Sequence, residues 1–153
     1  MRLGSWLLLL LLLVAGGAGS EQNEKAVSGF INLQAEDVLF VASPDVAGLS
    51  YAILSGDPDS AGVYVIRLRI SPGLVFPPHF HDQDRHVTVI SGDWAFGTGK
   101  SGECEDTLLL TAGAYALHSK EAVHFDGACG DEPVEVQIIG LGPVATTWVA
   151  DSD

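Results

Sequence analysis

The chain has 153 residues, enough for one compact domain and short for two. Its formal net charge is −13, from 20 acids against 7 bases, and such a surface repels nucleic acid and anionic lipid, which excludes both as partners held by charge. Hydrophobic residues make up 47% of the chain, so a core can be buried, although the N-terminus contributes part of that figure.

Arg2 is followed by "WLLLLLLLVA", Trp6 to Ala15, and then by the small residues "GGAGS". A basic start, a short apolar run and a small-residue stretch read as a secretory signal over residues 1–20, cut near Ser20. The run is shorter than the roughly 20 residues a bilayer-spanning helix needs, so no permanent membrane anchor is expected. The mature chain is therefore expected to be exported, to a periplasm or outside the cell. Residues 21–48 are expected to join the domain as an N-terminal segment, in which Gln22–Leu33 reads equally as a short helix or a first strand.

From Leu49 onward, short alternating runs are bounded by turn residues. "LSYAILSGDPDSAGVYVIRLRI" reads as strand, turn, strand. In its second half Tyr64, Ile66, Leu68 and Ile70 share one face, and Arg67 and Arg69 share the other, wet face. "SPG" leads into "LVFPPHFH", where Pro77 and Pro78 cannot donate to a ladder and predict an edge or a bulge. "HVTVI", "WAFGTG", "DTLLLTAGAYALH", "AVHFDG", "EPVEVQIIGLGP" and "ATTWVA" follow. About eight to ten strands with almost no helix predict an all-β sandwich or barrel over residues 49–150. Phe76, Trp94, Phe96 and Tyr115 read as its packing. Cys104 and Cys129 lie in loops rich in Gly and acids; in an exported chain a disulfide between them is expected, against two free thiols.

The chemistry gathers in "PPHFHDQDRH". His79 and His81 are two apart on a strand and so share a face, with Phe80 opposite. Two imidazoles on one face make a pair of metal ligands, and His124 in "EAVHFDG" is the natural third. Zn(II), Fe(II), Mn(II), Ni(II) and Cu(II) all suit imidazole. Asp82 and Asp84 read as turn caps rather than ligands. His118, after "AYAL", reads as a core or surface residue ahead of the alternative, an approach to the pocket mouth. Gln137, between Val136 and Ile138, points either to the site or to solvent.

The residues from Gly73 to Gly92 resemble the first motif of the cupin family: a Gly, five residues, His-x-His, three or four residues, a Glu, six residues and a closing Gly. Here Gly73, His79, His81 and Gly92 stand at the right spacing, and Gly113 and His124 match the Gly and His of the second motif. The likeness spans roughly Leu49 to Ala150 and is to small bacterial single-domain cupins. It implies a single antiparallel jelly-roll barrel, pairing into a homodimer through sheet edges, and a divalent metal. It further implies a protein that is an oxidoreductase of the dioxygenase kind, an isomerase or a binding protein, with fold alone not choosing among them.

The departures bear on function. The motif's Glu falls on Arg85, a fixed cation that cannot ligate metal. His86 stands at the alternative spacing and reaches the site only if a bulge re-aims the strand. The Pro-x-Gly turn reads Ser119, Lys120, Glu121, and the motif's Asn is Ala128. The site is thus reduced to His79, His81 and His124 as metal ligands, with Arg85, His86 and Gln137 as candidates for binding the small-molecule substrate. One reading is a metal-dependent cupin acting on a small organic molecule. A second is a metal-free pocket in which Arg85 holds an anion or carboxylate through its two-pronged fork. A third is a fold intact but without activity.

Overall fold

The computed structural model describes residues 29–149, so the proposed signal lies outside the described residues, as does most of the undecided Gln22–Leu33 stretch. Two units divide the chain at Gln34, and the second, Ala35–Asp153, carries all the regular structure described here. Of the first unit only residues 29–34 are described; they form neither helix nor strand, and Phe30 and Ile31 are exposed.

In the second unit the strands are β1 (Val41–Ala42), β2 (Leu49–Ser55), β3 (Gly62–Ile70), β4 (Val75–His81), β5 (Arg85–Ser91) and β6 (Trp94–Thr98). They continue with β7 (Leu108–Leu110), β8 (Tyr115–His118), β9 (His124–Gly127), β10 (Val134–Gly142) and β11 (Thr146–Trp148). Two single 3-10 turns, Ala35–Asp37 and Cys104–Asp106, are the only helical residues among those described. The strands form two antiparallel sheets, ordered β1-β2-β3-β10-β5-β8 and β11-β4-β9-β6-β7. Apart from the consecutive pairs β1-β2, β2-β3 and β6-β7, neighbours within each sheet come from distant parts of the chain, as a jelly roll requires. The expected all-β fold is present, with one correction: the hydrogen bonding does not close into a cylinder, because each sheet keeps two edges.

Period-two alternation decides what is inside. In β3, Tyr64 and Ile70 are fully buried while Arg69 on the opposite face is exposed. In β10, Val134, Val136 and Ile138 are buried, and with Val87, Val89, Trp94 and Phe76 they form the core. Burying side chains of this size removes apolar area worth about 1.5–3 kcal/mol each. Close approach matters at Gly140, where an added Cβ would lie 2.5 Å from Tyr64 Oη, so the tyrosine ring can lie across β10 only because no side chain is there.

Arg67 and Arg69 sit on the outer face, as expected, and both pair with Glu135 at 3.2 and 2.9 Å. Arg69 also stacks over the Phe40 ring at 3.8 Å. Tyr115 is corrected: it is 58% exposed on the outer face of β8, because Ala116 and His118 take the inward positions of that strand. The prolines of β4 produce the bulge: against β9 the register shifts between Phe76 and His79. The motif glycine Gly92 has φ +77, and a Cβ there would lie 2.4 Å from the Pro133 carbonyl oxygen, so the β5–β6 turn tolerates no side chain.

Cys104 and Cys129 form a disulfide across 25 residues of chain, tying the loop before β7 to the end of β9. Closing a loop of this length stabilises by about 3–4 kcal/mol on the chain-entropy account. Reduction, or the double change Cys104→Ala with Cys129→Ala, should lower Tm by on the order of 10 °C in a thermal melt. A second expectation concerns Glu121, which holds φ +63 at the place where the family motif has glycine. A side chain in that conformation costs about 1–2 kcal/mol, of which glycine's greater unfolded-state freedom returns part. Glu121→Gly should therefore raise stability by about 0.5–1 kcal/mol in urea unfolding, and no gain would mean the turn is unstrained.

Candidate functional site

The site is built where β4, β5, β8 and β9 face the interior. Strand pairing places His79 of β4 directly across from His124 of β9. His81, two residues on, shares the face of His79, and both are buried. His118, the last residue of β8, pairs across from Arg85 of β5, and both side chains turn inward. The result is a cluster of four imidazoles. Ring centres lie 4.3 Å apart for His79 and His124, 5.0 Å for His79 and His81, and 3.9 Å for His118 and His124.

Three loop bonds hold these strands in place. Asp82 Oδ1 accepts from the Ala145 N–H at 2.8 Å, and Asp84 Oδ1 accepts from the Lys120 N–H at 2.7 Å. The Glu121 N–H donates to the His81 carbonyl at 2.7 Å. The two aspartates thus do cap backbone, but across the fold and not within their own turn.

Tautomers follow from the partners. His79 donates from Nδ1 to the Pro77 carbonyl at 2.8 Å, and His124 from Nδ1 to the Ala122 carbonyl at 2.9 Å. Each therefore turns an Nε2 lone pair to the interior, the arrangement of a metal-binding imidazole whose far nitrogen is fixed by backbone. One ligand atom from each of His79, His81 and His124 lies within 4.8 Å of the others. Asp126, two residues beyond His124 and buried on the same face, brings its Oδ2 to 3.9 Å from both His79 Nε2 and His124 Nε2.

Arg85 enters the same space. Its Nη1 donates to His81 Nε2 at 2.7 Å, and His81 Nδ1 faces Thr146 Oγ1 at 3.1 Å. No carboxylate among the described residues forms a salt bridge with Arg85. Burial and the guanidinium together hold the His81 ring neutral, with its pKa pushed down to about 2. His79, His118 and His124 are also pushed down, burial first, and Asp126 is pushed up by its burial.

A cavity of about 170 Å³ opens against these groups, walled by Leu68, Phe76, Trp94, Val136 and Trp148. The buried side-chain atoms without a hydrogen-bond partner among the described residues are Tyr64 Oη, Arg85 Nε, both ring nitrogens of His118 and His124 Nε2. Orphaned polar atoms are rare in native interiors. Here all of them belong to the imidazole cluster and the residues bordering it.

Two sequence expectations are corrected. His86 does not reach the site: β5 pairs with β8 without a bulge, so His86 points outward, where its Nδ1 meets Tyr115 Oη at 2.8 Å. It lines an open groove of about 410 Å³ on the outer face, which is larger than the interior cavity but holds none of the buried imidazoles. Gln137 is likewise outward, because β10 alternation gives the interior to Val136 and Ile138; its Oε1 accepts from Arg67 Nε at 3.2 Å. Conversely, Asp126 and Tyr64 join the site beyond the sequence reading, and His118, read first as core or surface, lies in it. Asp126 stands at i+2 from His124 and His118 at i+2 from Ala116, so the period-two rule carried the signal. Tyr64 was legible as core, while the destination of its hydroxyl was not.

The titrations predict acid sensitivity. The buried histidines have folded pKa values below the ordinary 6.5, so below that pH the unfolded chain takes up protons that the folded chain does not. Each imidazole then removes up to about 1.4 kcal/mol per pH unit. Asp126, pushed up from 3.8 by burial, acts in the opposite sense, as a single group against four. Melting of metal-free protein should show Tm falling steadily from pH 6.5 to 5. A flat profile would mean the rings are protonated or wet in the folded state.

Comparison with known proteins gives a consistent picture. The chain matches the model of the ChrR cupin-like domain over residues 28–145. Among solved structures it is similar to the polyketide cyclase RemF from Streptomyces resistomycificus, at 18% identity and TM-score 0.62, covering 80% of this chain and 88% of that one. It is similar to a cupin-superfamily sugar phosphate isomerase from Silicibacter pomeroyi, at 18% identity and TM-score 0.60, covering 80% and 83%. A third likeness is to the DMSP lyase DddQ from Ruegeria pomeroyi, at 15% identity and TM-score 0.59, covering 76% and 64%. No curated protein matches by sequence. At these identities the structures speak for fold alone, whereas the domain model spans most of the chain: the protein belongs to the family of ChrR cupin-like domains.

Proposed function

We propose that this protein is an exported cupin that holds a divalent transition metal through His79, His81 and His124 and binds a small organic anion on Arg85. The observation that carries the reading is the buried imidazole cluster, with three imidazole ligand atoms within 4.8 Å of one another and with Arg85 and His118, which carry unpartnered polar atoms, lining the adjoining cavity. An imidazole that is neutral, buried and fixed at its far nitrogen is ready to ligate, and this describes His79 and His124. The donor set of neutral nitrogens suits a first-row divalent ion and leaves its identity open. When bound, such an ion supplies Lewis-acid polarisation of a substrate oxygen.

The chain's own residues set what enters. Arg85 is a part-buried cation with no carboxylate pair among the described residues, and a guanidinium in that state favours an anionic ligand. The Tyr64 hydroxyl of β3 interacts with the Arg85 guanidinium and so helps to place it. The apolar wall of Leu68, Phe76, Val136 and Trp148 favours a small organic body and excludes water. The neighbours named a cyclase, a lyase and an isomerase support small-molecule chemistry on this scaffold without selecting a reaction. Export draws support from the disulfide, which suits an oxidising compartment, and no helix of the described residues is long and apolar enough to cross a membrane.

The metal-free alternative has an observation of its own. Arg85 Nη1 occupies the His81 Nε2 lone pair at 2.7 Å, so in this arrangement His81 serves the guanidinium. Elemental analysis of untagged protein separates the two. The proposal expects close to one divalent ion per chain, lost in His124→Ala; protein that stays metal-free after dialysis against each candidate ion would leave only the anion pocket. Arg85→Glu restores a carboxylate at the family's position and should tighten metal binding about tenfold or more while abolishing binding of carboxylate ligands. Unchanged metal affinity would place residue 85 outside the coordination sphere.

A further inference from the structure

Two groups of ligating side chains share His124. The first is His79, His81 and His124; the second is His118, His124 and Asp126, whose ligand atoms also lie within 4.8 Å of one another. The second group contains a carboxylate, which the first lacks.

Strand geometry explains how Asp126 reaches the cluster. In β9 the side chains of His124 and Asp126 point to one face, and the partner strands run past both: His79 lies across from His124 in β4, and Thr98 and Phe96 lie across from His124 and Asp126 in β6. Trp94 Nε1 donates to Asp126 Oδ1 at 3.2 Å, which turns Oδ2 towards the imidazoles. Oδ2 then stands 3.9 Å from His79 Nε2 and 3.9 Å from His124 Nε2. That is too long for a hydrogen bond. It is shorter than twice a metal–ligand bond of ~2.0–2.2 Å, so one ion between the atoms could touch both. A carboxylate aimed at two lone pairs and bonded to neither is repelled by them unless a proton or a metal cation intervenes.

Charge points the same way. A divalent ion held by neutral imidazoles alone would sit beside the Arg85 guanidinium with nothing negative nearby. Asp126 is the buried acid among the described residues, and it lies in this cluster.

We propose that Asp126 is the carboxylate ligand of the bound cation, moved from the β5 position that Arg85 now occupies to β9, so that β5 is freed to present a guanidinium to the substrate. The assignment rests on the cation reading above. It gives one pocket a metal-facing carboxylate and an anion-facing arginine on opposite strands.

Cobalt(II) tests it on the full chain, stripped of metal with a chelator, by calorimetry and visible absorption. Asp126→Asn should weaken Co(II) binding about tenfold or more and alter the d–d bands, since an amide oxygen is a poorer, neutral ligand. Asp126→Cys should bind Co(II) with a new sulfur-to-cobalt charge-transfer band, which arises only if side chain 126 touches the ion. Wild-type-like binding and bands in Asp126→Asn, or a Co(II)-loaded Asp126→Cys without that band, would overturn the assignment while leaving the cation reading in place. Failure of the unaltered protein to take up Co(II) would overturn the cation reading and this assignment together. If Asp126→Asn does not fold, which far-ultraviolet circular dichroism would show, the Asp126→Cys band decides alone.

Discussion

The pairing of β4 with β9 is the constraint on which this protein depends. It sets His79 opposite His124, and because side chains alternate along a strand, it also sends His81 and Asp126 to the same interior face. A slip of one residue would turn every one of them to the other face of the sheet. The bulge at Phe76 to His79, where Pro77 and Pro78 cannot continue the ladder, fixes that register. Loop bonds from Asp82 and Asp84 then pin the strand ends, and the disulfide ties off β9 at its far end.

A polar cluster of this kind is costly to bury. Four imidazoles, a guanidinium and a carboxylate lie among Trp94, Phe76 and Val87, and several of their atoms lack partners among the described residues. An orphaned buried donor or acceptor costs about 1–3 kcal/mol, so the interior here is not arranged for stability alone. Strain and unsatisfied groups of this sort concentrate where a protein binds something. The apolar walls make the polar atoms few and convergent, which is the usual character of a small-molecule site.

Arg85 distinguishes this chain from the family pattern. A guanidinium in the place of a carboxylate changes the charge at one strand position by two. It occupies His81 and leaves an anion-seeking edge at Nε. The interior keeps a single acid in the cluster, Asp126, held by Trp94 on the neighbouring strand. The electrostatic design of the cavity is thus a balance between those two residues, with neutral imidazoles between them.

Most of the fold was legible because strand text repeats at period two and turns carry their own chemistry. The alternation in "YVIRLRI" foretold which residues of β3 are buried, and the motif glycines marked turns that hold no side chain. The disulfide was expected from two cysteines in turn-rich loops of a chain whose N-terminus reads as a secretory signal. His86, Gln137 and Tyr115 show the limit. Each sits near the right residues in sequence, yet lies on the outward face, because the parity of a strand is set by its partners and bulges.

By itself the sequence determined an all-β domain of the cupin kind, the H-x-H pair on one face, and the guanidinium where a carboxylate is customary. Only the tertiary structure decided that Arg85 lies against His81, that His118 and Asp126 complete the cluster, and that the sheets stay open-edged. The reason is physical. Local pattern fixes which side chains share a face, but which faces meet depends on strands brought together from separate parts of the chain, and on the burial that follows.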